Sequence, residues 1–88
     1  MRLDIFLKLS RLEPRRTLAQ KMCEAGAIQI NGTKAKSARE VRTGDLITLR
    51  RRGRLTTLRV ADLPARPPSK AQAGTMYETI SVQSYETN

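Results

Sequence analysis

Histidine and tryptophan are absent from these 88 residues, and cysteine occurs once, as Cys23. Without histidine, the commonest acid–base group and metal ligand is missing. One cysteine excludes an internal disulfide and a cysteine-rich metal site, and Cys23 reads as a small buried apolar residue. Aromatics make up 3% of the chain, as Phe6, Tyr77 and Tyr85. Stacking of bases on an aromatic platform is therefore not expected. No apolar run approaches bilayer-spanning length. Asp4 and Lys8 interrupt the apolar start before a secretory signal can form. A cytoplasmic protein without a membrane partner is expected. The carboxylates Asp4, Glu13, Glu24, Glu40 and Asp45 are dispersed, and the five glycines are too scattered for a phosphate-cradling loop. No set of catalytic roles assembles, so the chain is expected to be no enzyme and to need no cofactor or metal.

Positive charge is abundant instead. The chain has 17 Lys and Arg against 8 Asp and Glu, a formal charge of +9. Residues 1–60 hold 15 of the cations and 5 of the anions, whereas residues 61–88 hold 2 and 3. Clustering of this kind points to nucleic acid, read through phosphates and shape.

The length supports one domain. Leu3, Phe6, Leu7 and Ser10 recur at helical spacing, widened by Ile5 and Leu9, and predict a helix over about residues 3–10. Pro14 breaks that pattern or opens the next helix, predicted over about 15–25 with Leu18, Ala19 and Met22 on one face. Thr17 and Gln20 have capping-box spacing, and Gly26 suits a left-handed C-terminal cap. The period then shifts to two: Ile28 and Ile30 precede Asn31-Gly32, a tight-turn signal, and Thr33 to Lys36 make a short return strand. Val41 is an isolated apolar anchor before the Thr43-Gly44-Asp45 turn. Strands are expected over Leu46–Arg50 and Leu55–Val60, the latter turning Leu58 and Val60 to one side, with a basic hairpin turn between the two strands. Pro64, Pro67, Pro68 and Ser69 mark a linker. Tyr77 to Val82 alternates as an edge strand would, and the final residues are expected to be loose. The predicted fold is α+β, two short helices packed on a small antiparallel sheet. Residues 1–63 form the expected domain, followed by a Pro-containing linker and tail over 64–88.

Three basic groups stand out. Arg2, Arg11, Arg15, Arg16 and Lys21 gather around two helix starts, where open N–H groups also suit phosphate. Arginine's planar fork holds phosphate through two bonds. Substituting Arg2 and Arg16 is expected to remove RNA binding without lowering stability. Lys34, Lys36, Arg39 and Arg42 follow the Asn31 turn. Arg50, Arg51, Arg52 and Arg54, with Arg59 nearby, are either a third contact surface or an edge protected by charge.

The run from Arg2-Leu3-Asp4 to Ser10-Arg11-Leu12, then Arg15-Arg16-Thr17-Leu18-Ala19, then Gly26-Ala27-Ile28-Gln29-Ile30-Asn31-Gly32, resembles the S-four domain, the alpha-L RNA-binding motif. The resemblance spans about residues 2–60. The short length, the Gly44-Asp45-Leu46-Ile47-Thr48-Leu49-Arg50 strand and the late Met76-Tyr77 look most like the RqcP (YabO) family of bacterial ribosome-associated quality control. That resemblance implies binding to obstructed large ribosomal subunits, with contacts to their rRNA and to P-site peptidyl-tRNA. It also implies support of C-terminal alanine tailing with the partner RqcH. The family's RNA-binding role carries over first to Arg2, Arg15 and Arg16, then to Lys21, Asn31, Lys34 and Lys36. A monomer is expected. Competing readings are a heat-shock-type subunit recycling factor, disfavoured by the near-neutral tail, and an RNA-targeting module of an RNA-modifying enzyme. A helix-turn-helix DNA binder is disfavoured by the short helices and the Pro14 connection.

Overall fold

A computed structural model describes residues 1–84; the expected looseness of the last residues concerns positions that lie, for 85–88, outside the described residues. Helix α1 spans Leu3–Leu9 and α2 spans Arg16–Glu24. Strands β1 (Ile28–Ile30), β2 (Thr33–Lys34), β3 (Leu46–Arg51) and β4 (Arg54–Val60) follow. Helix α3 (Lys70–Ala73) and a 3₁₀ turn (Gly74–Met76) then lead into β5 (Tyr77–Ser84). The five strands form one sheet in the order β2-β1-β3-β4-β5, every pairing antiparallel. The α+β expectation holds.

The helical stripe of α1 forms as its spacing predicts: Leu3, Phe6, Leu7 and Ser10 are buried, and Ile5 and Leu9 are half-buried. On α2 the buried residues are Ala19 and Cys23, not Leu18, which is exposed. Gln20 shares this inward-turned side of α2, which carries the face away from Leu18. The Thr17–Gln20 capping box does not form either, because Arg15 is the N-cap and Gln20 is engaged elsewhere. Gly26 takes φ +74° beyond the end of α2, and its N–H donates to Cys23 O, a left-handed cap as expected.

Both helices pack with the sheet around one core that includes Phe6, Leu7, Ile28, Ile30, Ile47, Leu58, Val60 and Met76. Asn31 and Gly32 at φ 52° and 82° make the β1–β2 hairpin turn. Positive φ at both central residues is the primed turn that matches strand twist. The segment after β2 crosses back under the start of α1. Leu3 N donates to Arg39 O at 2.8 Å, Asp4 N to Ser37 O at 3.0 Å, and Val41 N to Met1 O at 2.8 Å. Val41 is buried as the anchor of this crossing. At the Thr43–Asp45 turn Gly44 has φ 95°, and Asp45 accepts Arg42 N at 2.9 Å.

Two sequence expectations need correction. The linker marked by Pro64, Pro67, Pro68 and Ser69 ends in a helix the sequence reading did not include: Ser69 caps α3, accepting Gln72 N, while the Gln72 side chain accepts Ser69 N. The edge-strand reading of the basic hairpin also fails, since β3 and β4 each have a strand on both sides.

Candidate nucleic-acid interface

The site grows from Asp4, whose side chain is 0% exposed although it sits in the first turn of α1. Arg2 grips it side-on, Nε donating to Oδ1 and Nη2 to Oδ2, both at 3.1 Å. Arg16, at the start of α2, donates Nε to Oδ2 at 3.1 Å. Gln20, one turn on, donates to Oδ2 at 3.3 Å, and Ile5 N donates to Oδ1 at 2.9 Å. Burial pushes the carboxyl toward its neutral form. The hydrogen bonds from Gln20, Arg16 and Arg2, with the charge of Arg2, outweigh this and hold Asp4 below its ordinary value. One buried carboxylate thus aligns two arginines from different helices.

The arginines remain open to solvent, with side chains 44% exposed for Arg2 and 47% for Arg16. Among the described residues Arg16 bonds Asp4 through Nε, and its half-exposed guanidinium keeps the paired Nη groups that can take phosphate through two bonds. Two guanidinium groups against one carboxylate leave the cluster positive. Removing both arginines would leave the buried Asp4 carboxylate only Gln20 and Ile5 N, so the geometry predicts a loss of stability where the sequence alone predicts none.

The other predicted residues fall in several places. Lys34 and Lys36 line a cavity of about 430 Å³ with Gln20, Glu24 and Ser37. Gln20 therefore joins the Asp4 cluster to the second basic group. Arg15 is exposed at the α2 N-cap, its N–H held by Glu13 Oε2 at 3.0 Å. Arg11 is exposed at φ 63°, just past α1. Lys21 is exposed in the last turn of α2 and lines neither the Asp4 cluster nor the Lys34 cavity. Asn31 is exposed, and its amide ties the β1–β2 turn to the start of β3, Nδ2 donating to Asp45 Oδ1 at 3.1 Å and Oδ1 accepting Leu46 N at 3.0 Å.

Sequence reasoning missed Asp4, Gln20 and Glu13. Asp4 carried a signal: it stands three residues before Leu7 and beside Leu3 on the apolar stripe, where an unpaired carboxylate cannot stay. Glu13, also buried, lies 3.3 Å from Arg51 Nη2, and Arg51 Nη1 donates to Leu12 O at 2.8 Å. The basic hairpin is thereby tied to the α1–α2 connection.

Residues 1–47 match the S4 domain family. A protein named RQC P-site tRNA stabilizing factor from Bacillus subtilis is 46% identical over 80 residues, covering 91% of this chain and 92% of its own. A protein of the same name from Streptococcus pneumoniae is 36% identical over 88 residues, covering 100% and 99%. This chain belongs to that S4-domain family. The fold agrees: the trimeric structure of Vibrio cholerae Heat Shock Protein 15 superposes with a TM-score of 0.83 at 30% identity, covering 92% of this chain and 82% of that one. The S4 match takes in α1, α2, β1 and β2 and ends inside β3, so it includes the Asp4 cluster and Lys34. The basic hairpin, β4 and β5 lie beyond it.

Proposed function

We propose that this chain is a non-catalytic RNA-binding factor of ribosome-associated quality control. It binds obstructed large ribosomal subunits that carry peptidyl-tRNA, contacts rRNA and the P-site tRNA, and supports alanine tailing with RqcH. It acts as a cytoplasmic monomer, and residues 1–63 are its RNA-binding unit. By contacting both RNAs it favours the tRNA arrangement that permits the next addition. The observation that carries this reading is the Arg2–Asp4–Arg16 cluster, whose guanidinium groups are fixed from beneath and open above. Arg11, Arg15, Lys21, Asn31, Lys34 and Lys36 complete the proposed surface. The absence of catalysis is supported by the lack of histidine and by the internal use of Asp4 and Glu13.

The test is twofold. Wild-type protein should co-sediment with large subunits from cells with stalled translation and restore alanine tailing in a bacterium lacking its own factor. Arg16→Gln should do neither. Co-sedimentation with restored subunit recycling but no effect on tailing would favour a heat-shock-type role, the alternative suggested by the likeness to Heat Shock Protein 15.

A further inference from the structure

The β3–β4 hairpin turns on Arg52 and Gly53, at φ 51° and 74°. This is the same two-residue primed turn that Asn31-Gly32 makes between β1 and β2. Asn is the non-glycine residue this backbone favours, and a long unbranched side chain is not. One hairpin obeys the local preference and the other places an arginine against it. Such a departure at a surface turn marks a functional demand.

The surroundings show which demand. Arg51, Arg52 and Arg54, with Thr56, line an open notch of about 420 Å³. Across from Arg54 and Leu55, β5 offers the uncharged Ser84 and Gln83. Arg51 is committed to Glu13 and to Leu12 O. Arg52 and Arg54 are exposed. Glu13 uses its other oxygen on Arg15 N, so an ion pair to this buried carboxylate and the bond to Leu12 O tie the hairpin to the connection that leads into Arg16. The tip is held in place and carries no large apolar side chain that would enter a lipid surface.

We propose that this hairpin tip is a second phosphate-binding surface, through which Arg52 and Arg54 grip the sugar-phosphate backbone of RNA. The Arg51–Glu13 brace sets its orientation relative to the Arg2–Arg16 pair. The inference rests on the reading of the chain as an RNA binder. It adds a contact beyond the residues that match the S4 domain.

Arg52→Asn together with Arg54→Thr tests it with little risk to folding, since Asn-Gly suits the turn and Thr suits a strand. Binding of the full chain to a fluorescein-labelled RNA stem-loop is followed by anisotropy across a potassium chloride series. The double variant should melt no lower than wild type and bind about tenfold more weakly, with the salt slope reduced by between about one and two. Unchanged affinity and slope would overturn the proposal. If Arg2→Gln with Arg16→Gln weakens binding in parallel, the wider RNA-binding reading survives that failure. If wild type itself shows no salt-dependent binding, both fail. Loss of binding to phosphatidylglycerol vesicles, with RNA affinity intact, would make the tip a lipid contact and also overturn it.

Discussion

At the scale of single residues, Asp4 determines how the site is built. Its carboxylate takes bonds from two arginines, a glutamine and a backbone N–H, so Asp4→Asn removes the charge while keeping the shape. Both arginines are nearly half exposed, which screens the pairs. The expected loss is about 1–2 kcal/mol, read from urea unfolding. Its pH dependence follows from the lowered carboxyl. A depressed folded value means the stabilisation is complete above the ordinary carboxylate range and is lost as pH falls through the folded value. The gap between wild type and Asp4→Asn should hold steady near neutrality and close under strongly acidic conditions. A gap that widens in acid would contradict this account. Cys23 makes a simpler case. Burial first, then the negative charges of Asp4 and Glu24, push its thiol upward. It should resist iodoacetamide at neutral pH in the folded protein and react once denaturant is added.

At the scale of elements, turns and caps separate what was legible from what was not. The change of period at Ile28, the Asn31-Gly32 turn and the Gly26 cap could be read directly, because each is a local preference that the fold leaves in place. Leu18 misled because it stands at the margin of the apolar side of α2: Ala19 and Cys23 are buried and Met22 packs against the core, while the polar Gln20 is bonded to Asp4 on the side away from Leu18. Helix α3 was hidden because four residues cannot display a period, although Ser69 and Gln72 stood at capping-box spacing after Pro68. Removing that cap by Ser69→Ala should cost about 1 kcal/mol, measurable as a lower midpoint in urea. Asp4 and Glu13 look dispersed in the sequence because each also has a partner on another element: Arg16 of α2 for Asp4, 12 residues away, and Arg51 of β3 for Glu13. Periodicity within one element does not show which residues of another element it meets, so the residues of the interface were visible and its geometry was not.

At the scale of the whole molecule, the sheet order sets two edges against each other. Strand β2, with Lys34, is one edge, and β5 is the other. On β5 the residues from Thr79 to Ser84 carry no charge, and Val82 is 55% exposed. A free, uncharged edge of this kind invites pairing with another chain, and a lysine is a common natural defence. The bulge between Thr57 and Leu58 already twists the β4–β5 pair, which gives partial protection. Val82 pairs opposite Thr56 and contributes nothing to the core. Val82→Lys should therefore change unfolding free energy by no more than about 0.5 kcal/mol. Light scattering at high protein concentration should fall, because the net charge rises and the edge is blocked. Affinity for an RNA stem-loop should not fall, since Arg2, Arg16, Lys34 and Lys36 lie away from β5, and beside the proposed Arg52–Arg54 surface, where Val82 stands opposite Thr56, an added cation favours phosphate. A large drop in affinity would contradict this and make the Val82 side chain itself part of the RNA contact.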